Sequence, residues 1–78
     1  MLCAEVSIYP LKSHDNSAMI SSSIESLEHQ GLEFSVGSIS THLHGSEEQV
    51  WQGLKEMFRN AQKQGEVSMV VTITNAAD

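Results

Sequence analysis

The stretch "GLEFSVGSISTHLHG", residues 31–45, decides how this chain folds. Leu32, Phe34 and Val36 alternate with Glu33 and Ser35, and beyond Gly37 and Ser38 the residues Ile39, Thr41 and Leu43 alternate with Ser40, His42 and His44. A period of two is the mark of a strand with one buried face. Two such runs across a Gly-Ser turn read as a β-hairpin, and the segments on either side must supply the layer that covers it.

C-terminal to the hairpin, "SEEQ" from Ser46 opens a helix. The Ser46 side chain is placed to accept from the backbone amide of Gln49 while Gln49 reaches back, a capping box with two carboxylates at the positive end of the helix dipole. The apolar stripe is Val50, Leu54, Met57 with Phe58, and Ala61, with Lys55, Arg59 and Lys63 on another side and Gly65 as the stop. Gly53 and Trp51 fit two accounts: close helix packing beside a partly covered tryptophan, or a subunit contact through Trp51. Val67 to Thr74 then alternates again as a last strand, with Val67, Met69, Val71 and Ile73 on one face and Ser68, Val70, Thr72 and Thr74 on the other.

N-terminal to the hairpin, Leu2, Ala4, Val6 and Ile8 alternate with Cys3, Glu5, Ser7 and Tyr9, and Pro10 is expected to end that strand because it lacks a backbone donor. Lys12 to Ser17 is polar and rich in capping residues. Ile20, Ile24 and Leu27 follow at helical spacing, predicting a first helix from about Asn16 to Gln30 closed by Gly31. The run Ser21, Ser22, Ser23 lowers its intrinsic propensity, so packing must hold it. The order strand, helix, two strands, helix, strand is the ferredoxin-like βαββαβ arrangement of the α+β class. It predicts a four-stranded antiparallel sheet with both helices on one face and the first and third strands in the centre. Residues 1–78 read as one domain.

The chain has 78 residues, a net charge of −6 and one cysteine. A domain this short buries only about 60% of its unfolded surface, and Cys3 alone cannot make an internal disulfide, so association of chains, as a homodimer or homotetramer, is the expected source of extra stability. The acidic balance argues against nucleic acid. No run approaches the roughly 20 apolar residues that span a bilayer, and the expected location is the cytoplasm.

The face turned away from the helices would carry Cys3, Glu5, Ser7, Tyr9, Ser40, His42, His44 and the hydroxyls of the last strand. His42 and His44 would point the same way about 7 Å apart on a strand, with Glu5 a third donor, but a zinc site needs three or four ligands and His14 and His29 lie elsewhere. No metal and no cofactor are expected. Ser40 or Thr41 beside His42 has the residue types of a nucleophile and base, yet adjacent strand residues point to opposite faces. "YPLKSHDN" lacks the arginine of an acylphosphatase loop, paired cysteines for copper are absent, and so are the basic and aromatic residues of an RNA-binding sheet. The expectation is a protein that is not an enzyme. His29 reads as a charge at a helix end and Cys3 as a small half-buried residue.

"SIYPL" at Ser7–Leu11, "GLEFSVGSIST" at Gly31–Thr41, Gly45 before an acidic helix start and "TITN" ending at Asn75 together resemble the YkoF-like family of thiamine- and hydroxymethylpyrimidine-binding proteins. The resemblance runs through nearly the whole chain, with His44 standing where relatives often have an acidic residue. It implies a ferredoxin-like binding protein for thiamine or its hydroxymethylpyrimidine portion, acting as carrier, sensor or transport accessory, with subunits assembling what tandem relatives hold in one chain. The residue chemistry agrees: Ser7, Ser40 and Thr41 donate and accept, Tyr9 offers a ring, and Glu5 and the acidic field favour a thiazolium cation. The expected ligand-binding residues are Ser7, Tyr9, Ser40 and Thr41, then Glu5 and His42. Element order alone leaves an ACT-like amino-acid-sensing domain as the alternative, ahead of a small enzyme or a metal-binding protein.

Overall fold

The computed structural model describes residues 1–13, 16–29, 31–37 and 39–76, with the backbone alone at residues 12, 13, 16–18 and 29. Its elements are β1 (Leu2–Ser13), α1 (Asn16–Glu25) followed by a 3₁₀ turn (Ser26–His29), β2 (Glu33–Val36), β3 (Thr41–Gly45), α2 (Glu47–Gln62) and β4 (Gly65–Thr74). The sheet is antiparallel in the order β2-β3-β1-β4. This is the ferredoxin-like arrangement, with β1 and β3 central.

The alternation in each strand sorts its side chains as a pleat must. Ala4, Val6 and Leu43 are buried and pack with Leu27, Val50, Leu54 and Met57 from the helical layer, while Leu2, Ile8, Phe34, Met69, Val71 and Ile73 are only partly covered around that core. At the start of α2 the capping box forms: the Gln49 amide donates to Ser46 Oγ at 3.2 Å and the Ser46 amide donates to Gln49 Oε1 at 3.0 Å. Gln49 Nε2 also donates to the Gly31 carbonyl at 3.2 Å, tying the helix start to the turn where Gly31 takes φ +72°. Gly53 is explained by close packing, because a Cβ there would stand 2.9 Å from Leu32 Cδ2 and 3.3 Å from Leu27 Cδ2.

Three expectations are corrected. Pro10 does not end β1, which runs on to Ser13 with a register shift between Pro10 and Lys12 against β4. Beyond Val6, among the described residues, the strand β1 borders β4 alone, and a proline is tolerated where one strand edge has no partner, beside a bulge. Helix α1 stops at Glu25 and tightens into a 3₁₀ turn; Gln30 lies outside the described residues. Its buried stripe is Met19, Ser23, Ser26 and Leu27, with Ile20 41% exposed. Ser23 Oγ donates to the Met19 carbonyl at 2.9 Å and Ser26 Oγ to the Ser23 carbonyl at 2.6 Å. Each hydroxyl is thereby satisfied within its own helix, so small serines face inward and the larger Ile20 turns out. Finally, the cap of α2 is Lys63, and Gly65, at φ 144°, opens β4 instead of ending the helix.

Candidate functional site

The outer face of the sheet is built from rows set by strand register. Cys3 on β1 lies between His44 and Thr74, and Glu5 lies between His42 and Thr72. Ser7 faces Val70 and Tyr9 faces Ser68. Glu5, Ser7 and Tyr9 therefore follow one another at every second residue along one side of a central strand. Tyr9 is 50% exposed and Ser7 half-buried.

Two histidine–carboxylate pairs cross the strands. His42 Nε2 and Glu5 Oε2 are 2.7 Å apart between β3 and β1, and His44 Nδ1 and Glu33 Oε2 are 3.3 Å apart between β3 and β2. An ionised carboxylate only accepts, so in each pair the imidazole N–H donates. The first pair fixes the tautomer and direction of the His42 ring and occupies one oxygen of Glu5. Both partners are more than half exposed, which makes the pair a way of aligning side chains rather than a source of much stability. The second pair follows from the register of the hairpin, in which a four-residue connection, 37–40, sets Glu33 opposite His44; the two-residue Gly37-Ser38 turn expected from the sequence would have set Glu33 opposite His42.

The expected binding residues divide between two places. Glu5, Ser7, Tyr9 and His42 share the outer face. Ser40 and Thr41 do not join them: Ser40 precedes β3, and both line a cavity of about 90 Å³ on the helix side, walled by Val6, Ile8, Ile20, Ile24, Val36 and Ile39. Placing Ser40 beside Ser7 and Tyr9 assumed that β3 began at Ile39, whereas the connection holds its own bond, from the Gly37 amide to the Ser40 carbonyl at 2.8 Å. Ser40 is thus on the other side of the sheet from His42, and no nucleophile–base contact joins them. Among the described residues no three His, Cys, Asp or Glu side chains converge on one point. His14 lies outside the described residues, as does the side chain of His29. No described helix is long and apolar enough to cross a membrane.

An antiparallel sheet with two helices on one face, and a polar outer face whose carboxylate, hydroxyl and phenol are aligned on a central strand, defines a domain of the ferredoxin-like class. The chain matches the YkoF-related family over residues 2–77 and belongs to that family. No curated protein matches it. Among solved structures it is similar to a domain of unknown function, DUF77, from Bacillus cereus, with a TM-score of 0.83 and 22% identity over 94% of this chain and 73% of that one. It is similar also to a hypothetical protein from Methanocaldococcus jannascii, with a TM-score of 0.85 and 25% identity over 99% of this chain and 81% of that one. A protein from Thermotoga maritima that has been proposed to act in thiamine biosynthesis or salvage aligns with a TM-score of 0.75 and 21% identity, over 92% of this chain and 80% of that one.

Proposed function

We propose that the protein binds thiamine or its hydroxymethylpyrimidine portion without turning it over, as a carrier, sensor or transport accessory, and that it does so as a homodimer or homotetramer. The observation that carries the reading is the alignment of Glu5, Ser7 and Tyr9 on one face of β1, with His42 holding Glu5 in place, in a chain of the YkoF-related family. Thiamine joins an aminopyrimidine, which needs partners that both donate and accept, to a thiazolium cation. Ser7 supplies the first, and Glu5 with the Tyr9 ring suits the second.

The cavity at Ser40 and Thr41, about 90 Å³, is well below the roughly 300 Å³ at which small-molecule pockets begin, so the outer face is the better seat. A sheet face is shallow and ligand sites are concave; a second subunit laid across it would supply the other wall. Calorimetry with thiamine, hydroxymethylpyrimidine and a panel of amino acids tests the reading. Heat of binding is expected with one or both pyrimidine compounds and no product on prolonged incubation. Binding of an amino acid in their place would support an ACT-like sensor, and conversion of the ligand would make the protein an enzyme.

A further inference from the structure

Strand register gathers the ionisable side chains of the outer face at one end of the sheet. One row across the strands runs Glu33, His44, Cys3 and Thr74, and the next runs Ser35, His42, Glu5 and Thr72. Each histidine is bonded to a carboxylate on a neighbouring strand, His42 to Glu5 and His44 to Glu33. Among the described residues no lysine or arginine side chain joins these rows. Met1, which carries the chain's amino group, lines a hollow with His44 and Glu33. Glu66 and Lys12 stand opposite each other at the far end of the β1–β4 pair, about 20 Å from the Glu5 row at the rise of a strand and beyond the reach of screened charges at physiological salt. Cys3 and Tyr9 are the other titratable groups of the face, and a thiol or a phenol takes on charge only in more alkaline solution.

The charge near Glu5 therefore depends on two carboxylates and two imidazoles. With both rings neutral the two carboxylates leave the rows doubly negative; with both rings protonated the charges cancel. Histidine is the side chain whose charge ordinarily changes between pH 5 and 8. The cross-strand bonds survive that change, because the N–H that donates to the carboxylate is present in the neutral ring and in the cation alike. Protonation thus removes the charge of the face and leaves its shape.

We propose that His42 and His44 make cation binding at the outer face proton-linked: the face takes an organic cation when the two rings are neutral and loses its preference for one as they protonate. This rests on the reading of the outer face as the seat for thiamine and adds how that seat is regulated. The Glu5 carboxylate that draws the thiazolium is the one His42 neutralises at 2.7 Å. As pH rises through the histidine range the attraction appears, and as it falls the attraction is lost. By reciprocity a bound cation expels protons from the imidazoles.

Calorimetry with thiamine and hydroxymethylpyrimidine from about pH 6 to pH 8 tests it, read as the ratio of the two affinities so that any titration of the shared pyrimidine cancels. In the wild type the ratio should rise about three- to tenfold in favour of thiamine, a modest factor because these side chains stand in water. The rise should shrink in 1 M salt, where the screening length is about 3 Å. Thiamine uptake near the middle of the histidine range should release protons, seen as a binding heat that varies with the ionisation heat of the buffer. His42→Gln keeps an N–H for Glu5 and takes up no proton; it should remove most of the rise, and adding His44→Gln should remove the rest, with circular dichroism confirming the fold. The pH dependence and the proton release are read on the wild type, so the test stands even if a variant misfolds. A thiamine affinity whose ratio does not move with pH, a rise that survives the double substitution, or binding of hydroxymethylpyrimidine alone overturns the proton linkage and leaves the binding reading standing. Failure of both compounds to bind at any pH overturns both.

Discussion

Glu5 and Thr41 stand for the two places that hydroxyls and carboxylates offer a ligand, and they make opposite demands on a mutation. Glu5 lies on the outer face with one oxygen bonded to His42, and Tyr9 is four residues further along the same strand face. Thr41 is 7% exposed beneath α1. If the outer face holds the ligand, Tyr9→Ala and Ser7→Ala should each weaken thiamine or pyrimidine binding, Ser7→Ala by about 0.5–1.5 kcal/mol as for one neutral hydrogen bond and Tyr9→Ala by as much or more. Glu5→Gln should weaken thiamine more than hydroxymethylpyrimidine, because only thiamine carries the cation. Thr41→Val should leave both affinities where they were. Calorimetry on the four variants reads this at once; affinity lost only in Thr41→Val would move the site to the cavity below α1.

Among the elements, α2 is held at its start by its own side chains. Ser46 caps it, and Gln49 both closes the capping box and donates to the Gly31 carbonyl. Removing a serine cap costs about 1 kcal/mol, so Ser46→Ala should lower unfolding stability by about that amount in urea melts at fixed protein concentration. Gln49→Ala should cost at least as much, since two of its bonds hold two elements; a Gln49 variant as stable as wild type would mean that the tie to the turn contributes nothing. This capping box was legible because its signal is local: four consecutive residues and a short apolar period. The strand faces were legible too, since a period of two leaves only one way to sort side chains. Helix α1 was harder. Serines bonded to their own helix carbonyls hide as buried residues, and a stripe drawn through Ile20, Ile24 and Leu27 placed Ile20 inward when Met19 and Ser23 are the residues fully covered. The position of Ser40 depended on where β3 begins, which a hydrogen bond inside the connection decides and the alternation does not. The outer-face alignment of Glu5, Ser7 and Tyr9 was readable, whereas its His42 bond needed the register of two strands 37 residues apart in sequence.

For the whole molecule, the core stops at partly buried Met69, Val71 and Ile73, and the association proposed above would tie folding to protein concentration. Anything that binds the folded chain and not the unfolded one raises its apparent stability with concentration. If the chain associates as proposed, the thermal midpoint should climb as total protein is raised a hundredfold from the low micromolar range. A midpoint independent of concentration in the wild type would mean that the 78-residue chain is stable enough alone.

The pairing of β1 with β4 joins the beginning of the described chain to its end: Cys3 lies opposite Thr74 and Ser13 opposite Gly65. A ribosome delivers residues in order at roughly 5–20 per second, so β1, a central strand, waits with one edge open until the last strand has been made. Its far half, past Val6, has β4 as its sheet neighbour and, among the described residues, no strand on the other side. During synthesis that segment is an unpaired strand, the kind of surface that recruits strangers. Pro10 in its middle has no backbone N–H to offer, which leaves that segment one donor short as a template for a foreign strand.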